Sequence, residues 1–178
     1  PAVRVISLER SIERRTRFAD LNRGLAYQFF PGIEIPPAPD PAAIDFALFP
    51  EPMPYFPSSG AFGCALSHLA LWNLAIETQA PVTIAEDDAA FRHDFEQESR
   101  RVLDALPPAW DMVLWGWNFD SILSIAALPG VSPSTMLFSQ EALQRSVQTF
   151  QLLRGEVSTF RLDKAFGIPA YTISPRGA

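Results

Sequence analysis

Val82-Thr83-Ile84-Ala85-Glu86-Asp87-Asp88 sets a short apolar run directly against three carboxylates. Three of the first four residues are β-branched, which reads as a short buried strand. The acids cannot prolong that strand into a core, because burying unpaired charge is prohibitive. They therefore belong at its carboxyl edge, where open α/β sheets place their ligands.

Outward from this stretch, helical and extended patterns alternate. Before Pro81, Phe62, Leu66, Leu69, Trp72 and Ile76 follow helical spacing, and Cys64, His68, Leu71 and Ala75 form a second stripe beside them. This predicts a mostly buried helix. Nearer the start, Val3 to Leu8 reads as a strand, Ser11 as the cap of a helix from Ile12 to about Asn22, and Gly24 as its stop. Tyr27 to Ile35 reads as a second strand, interrupted at Pro31-Gly32. After the acids, Asp94 to Leu106 reads as an exposed helix stopped by Pro107-Pro108. Asp111 to Trp115 is a further strand, Glu141 to Leu153 a helix and Ala170 to Ile173 a last strand, while 121–140 is weakly patterned. The alternation predicts an α/β fold with a mostly parallel central sheet in a single domain over 1–178.

Nine prolines fall within residues 31–57, so this region is neither a central strand nor a long helix. Residues 36–58 read as an extended loop, with Phe46, Leu48, Phe49, Tyr55 and Phe56 as anchor points. Such a loop is either a semi-rigid flap over the sheet edge or a peripheral connector.

The composition excludes several classes. With 178 residues, 48% hydrophobic and 19% charged, the chain can bury a core and is not disordered. A net charge of −6 without a basic block argues against a nucleic-acid binder. A single cysteine, Cys64, excludes an internal disulfide and predicts no cysteine-based zinc site. The most apolar stretch, Gly60 to Ile76, is too short to span a bilayer, which makes a cytosolic soluble domain the default. Ser174-Pro175-Arg176-Gly177-Ala178 reads as the start of a helix, so the domain is expected to continue past Ala178.

Glu86, Asp87 and Asp88 suit Mg²⁺ or Mn²⁺, which take one or two protein carboxylates plus substrate phosphates. A solvated turn capping the next helix is the alternative. Arg10, Arg14 and Arg15 follow the first strand and face the same edge. They suit phosphate, or else form a charged helix face with Glu9 and Glu13. Ser67 and His68 are helical neighbours whose side chains diverge by about 100°, so they are not a nucleophile–base pair. His68 reads as a core or pocket-wall residue, and His93 as a surface residue. Trp115, Trp117, Asn118 and Asp120 end a strand at the same edge, either facing a sugar ring or packing.

Four segments in order resemble glycosyltransferase family 25, the lipooligosaccharide galactosyltransferases and their collagen-modifying relatives. They are Val5 to Arg15, Gly63 to Leu69 with Leu71-Trp72, Glu86-Asp87-Asp88, and Gly167 with Ala170 to Ser174. The resemblance implies a GT-A-like, Rossmann-type nucleotide-sugar fold. It implies inverting transfer of a hexose, typically galactose, from a UDP-sugar to a bacterial surface glycan or glycolipid such as lipooligosaccharide. Asp88 would then hold Mn²⁺ or Mg²⁺, and Asp87 or Glu86 the ribose or an outer water. Leu8, Arg10, Arg14 and His68 would line the nucleotide-sugar site, with Asp120 as the candidate general base. The expected location is cytoplasmic, with peripheral association at the inner face of the inner membrane through the acceptor. The family usually carries an acid where this chain has Ala61, which leaves a degenerate sugar-binding domain as the alternative.

Overall fold

The computed structural model describes residues 2–35, 59–118, 121–128 and 130–178. The proline-rich loop at 36–58 and Asp120 lie outside the described residues. The chain order is β1 (Val3–Ser7), α1 (Ile12–Leu21), β2 (Tyr27–Pro31), α2 (Ser59–Thr78), β3 (Val82–Glu86), α3 (Phe95–Ala105) and β4 (Met112–Leu114). It continues with β5 (Ile122–Leu128), β6 (Ser132–Leu137), α4 (Gln140–Leu152), β7 (Leu162–Phe166) and β8 (Ala170–Ile173).

The main sheet has five strands in the order β2-β1-β3-β8-β4. β1 is parallel to β2 and to β3, whereas β8 runs antiparallel to both β3 and β4. The fold is therefore α/β as expected, but its sheet is mixed. β8 enters the main sheet from the second one, after a link of only residues 167–169 from β7. Gly167 makes that link at φ 81°, and a Cβ there would stand 2.6 Å from Ser121 Oγ.

Strand pleating divides the core into two layers. Val3 and Val5 of β1, Ala85 of β3 and Ala170 of β8 pack with Phe18 of α1 and with Phe91, against Phe95 and Trp115. The opposite face carries Ile6, Val82, Ile84, Tyr171 and Ile173, which pack with Leu71 and Ala75 of α2. In α2 the stripe turned to the sheet is Ser67, His68, Leu71 and Ala75. Leu69 and Ile76 remain 48% and 43% exposed, so the first of the two expected stripes faces partly outward.

Two polar anchors fix the helices. Ser67 Oγ accepts from Ile33 N–H at 2.8 Å and donates to Gly63 C=O at 2.7 Å, where a Cβ on Gly63 would collide with Ile33 O. Asn22, buried at the end of α1, donates to Phe18 C=O and Ala89 C=O at 3.0 Å each and accepts from Phe91 N–H at 2.8 Å. Ser11 precedes α1 but makes no side-chain cap, contrary to the sequence expectation; its carbonyl instead accepts from Arg15 N–H.

The second sheet, in the order β6-β5-β7, is antiparallel, and two of its strands lie in the weakly patterned region. β6 is exposed along its whole length, and β5 buries only Leu123 and Ile125. The sequence spelled neither strand out, because Pro133 and the serines hide alternation in β6.

Asn22 spans α1 and the segment after the acids, so Asn22→Ala strands buried backbone groups on both sides. The expected loss is about 3 kcal/mol, read as a lower urea midpoint with an unchanged m-value.

Candidate functional site

β1 and β3 lie side by side in parallel, yet the helices packed on them occupy opposite faces of the sheet. The chain leaves β1 through α1 to β2 on one flank and reaches β3 through α2 on the other. The carboxyl ends of β1 and β3 therefore form a topological switch point, the crevice in which such sheets bind ligands. Ser7 ends β1 and Glu86 ends β3, with Ile6 opposite Glu86 in register.

Because side chains alternate along β3, the acids diverge. Glu86 projects toward α2, and its Oε1 lies 3.7 Å from His68 Nε2. Asp87 projects toward α1 and is only 7% exposed. Its burial is compensated: Oδ2 accepts from Ser7 Oγ at 2.7 Å and Oδ1 from Arg14 Nε at 2.7 Å. Asp88 stands outside with 65% of its side chain exposed, 3.3 Å from Arg14 Nη2. Crowding by protein atoms and then the charge of Glu86 push the Asp88 carboxyl up, against the pull of Arg14.

The sequence-selected arginines separate. Arg14 reaches the acids, Arg10 pairs with Glu34 at 2.9 Å, and Arg15 donates to Ser7 C=O at 2.8 Å beneath the ring of Phe29. The expected partners Glu9 and Glu13 take no part in these contacts. Leu8 follows β1, and its side chain lies against Gly32. Trp115 is a packing residue whose Nε1–H donates to Thr172 Oγ1 at 2.7 Å. Trp117, beyond the end of β4, stays partly exposed and stacks on Phe138 with 4.8 Å between ring centres. Asn118 bonds with Ser121. His93 is exposed beside a concavity of about 730 Å³ that includes Arg92, Arg101 and Arg154, apart from the acids.

Sequence reasoning missed the environment of His68. Its Nδ1 lies 2.7 Å from Tyr171 Oη, which accepts Trp72 Nε1–H at 2.7 Å. Burial raises the Tyr171 pKa, so the phenol stays protonated. Cys64 lies one helical turn before His68, and burial followed by the charge of Glu86 pushes its thiol up to about 11. Cysteine and histidine four residues apart on one helix face were a readable signal that composition alone had dismissed.

The donor chemistry fits a hard divalent cation at Asp88. That carboxylate is accessible and crowded by like charge, whereas both oxygens of Asp87 are engaged.

A parallel switch point edged with acids and Arg14 thus sits in a mixed-sheet α/β fold, an architecture compatible with a glycosyltransferase. Over residues 2–178 the chain matches the model of glycosyltransferase family 25 (LPS biosynthesis protein), and it belongs to that family. No curated protein matches it at a significant level. Among the described residues no helix is long and apolar enough to cross a membrane.

Arg14→Met leaves buried Asp87 with Ser7 alone. Half of the Arg14 side chain is in solvent, so the expected cost is modest, about 1–2 kcal/mol. Arg10→Met, which breaks an exposed pair, should cost less than about 0.5 kcal/mol. Parallel urea titrations of the two variants check the ordering.

Proposed function

We propose that this chain binds a UDP-sugar at the carboxyl ends of β1 and β3 and transfers its hexose, galactose in the first instance, to a lipopolysaccharide-type glycan with inversion. The observation that carries this reading is the convergence of Asp87, Asp88 and Arg14 at the switch point of a family 25 chain. Asp88 holds Mn²⁺ or Mg²⁺, which when bound neutralises charge developing on the leaving diphosphate. Arg14 is the guanidinium at that edge and can turn a fork to phosphate. Asp87 keeps Arg14 aimed and ties β3 to β1, since neither of its oxygens is free for a ligand. Glu86 is the acid left to accept from the ribose. Leu8 and Arg10 line the approach from β1, and His68 walls the site behind Glu86. Trp117 offers an exposed ring face for a sugar. Asp120 is the proposed general base for the acceptor hydroxyl. The glycolipid acceptor would bring the protein to the cytoplasmic face of the inner membrane.

A second reading, a degenerate domain that binds without turnover, is favoured by Ala61 alone. Release of UDP in the presence of acceptor separates the two.

Thermal melts with UDP-galactose, with and without Mn²⁺, test the donor site. Ligand at a hundred times Kd adds about 2.7 kcal/mol, expected as a rise of about 5–10 °C for a chain of this size. Asp88→Asn should keep the unliganded midpoint and lose the Mn²⁺-dependent rise. An unchanged rise in that variant overturns the metal assignment.

A further inference from the structure

We propose that Cys64, His68 and Glu86 form a binding site for a borderline-soft divalent cation of the Zn²⁺ class, separate from the hard-cation position at Asp88. The one cysteine of the chain and one of its two histidines stand four residues apart on the sheet-facing side of α2. Pleating of β3 turns Glu86 toward the same spot. One ligand atom from each residue lies within 4.8 Å of the other two, and His68 Nε2 and Glu86 Oε1 are already 3.7 Å apart. Ligands around a four-coordinate zinc stand about 3.3–3.8 Å apart, as bond lengths of about 2.0–2.3 Å require. The trio therefore needs to close by about 1.5 Å at most.

Two features around the cluster point the same way. His68 is 7% exposed, and its Nδ1 is backed by Tyr171 Oη, itself held by Trp72. A fixed partner on the other ring nitrogen is what orients a ligating imidazole. Glu86 has no arginine or lysine partner among the described residues, whereas Asp87 and Asp88 share Arg14. Its Oε1 lies nearest the imidazole, and its charge is felt by the thiol as well as by Asp88 and Arg14. Thiolate and imidazole together select zinc-like ions over magnesium or calcium. Three protein ligands leave one position for water or an incoming group.

The protons balance. Without a cation, the Tyr171 O–H donates to Nδ1, which leaves Nε2–H facing Glu86. Binding releases the thiol proton to solvent and moves the imidazole proton to Nδ1, which then donates to Tyr171 Oη. The phenol then accepts from both Nδ1–H and Trp72 Nε1–H, and its own proton turns away from the imidazole. Occupancy would also take Glu86 from the ribose, so zinc would oppose nucleotide binding. That consequence rests on the transferase reading; the site does not.

Titrating the reduced protein with Co²⁺, followed by absorbance, tests the site. The expected result is a near-ultraviolet thiolate-to-cobalt band saturating at one equivalent. Cys64→Ser should abolish it, and Asp88→Asn should keep it. Zn²⁺ should displace the cobalt, and Tyr171→Phe should weaken Zn²⁺ at least about tenfold in a chelator competition. His68→Gln serves as a second ligand variant, and circular dichroism verifies each fold. Absence of the band in folded wild-type protein overturns the site, as does its loss in folded Asp88→Asn. Failure of UDP-galactose to bind, with the cobalt band intact, would sink the transferase reading alone.

Discussion

Burying one carboxylate at the joint of two parallel strands constrains everything around it. Asp87 is almost sealed from water, and such a charge persists only with partners fixed in place. Ser7 supplies one from β1 and Arg14 another from α1, so strand, helix and acid must arrive together. Arg15, from the same helix, closes on Ser7 from the other side. Asn22 then holds the chain that follows the acids against the end of α1. The acidic corner is thus part of the architecture as well as a place for a ligand.

The same corner separates three neighbouring acids into three environments. Asp87 is buried and paired, Asp88 is exposed and crowded, and Glu86 looks toward a thiol and an imidazole. One pleated strand end therefore offers oxygen-rich chemistry on one side and sulfur–nitrogen chemistry on the other. Residue type alone would have assigned all three acids one role.

What was legible in the sequence follows from the range of the interactions. β1, β3, β8 and the helices announced themselves through local periodicity, and the acids through their abrupt placement after an apolar run. The direction of β8 was invisible, because its partners in β3 and β4 lie more than fifty residues earlier in the chain and no local pattern encodes how they pair. The sheet-facing stripe of α2 was hard to rank, since hydrophobicity favours Leu69 while Gly63 and Ser67 make the close approach. The partners of Arg14 and His68 lie 73 and 103 residues away, so no spacing rule could pair them. Belonging to family 25 was readable from four short segments. The convergence of Cys64 on Glu86 was not, because it depends on how α2 packs against the end of β3 rather than on local spacing.

The pleat of β3 also acts as an electrostatic check on strand register. Side chains alternate with a period of two, so a slip of one residue exchanges the faces of Glu86 and Asp87. A slipped strand would present a glutamate, one methylene longer, to the tight seat between Ser7 and Arg14. It would also turn the short aspartate toward His68, and Val82 and Ile84 would leave the α2 face while Thr83 entered it. Wrong pairings of β3 with β1 are thus penalised twice, once in the apolar layer and once among the charges.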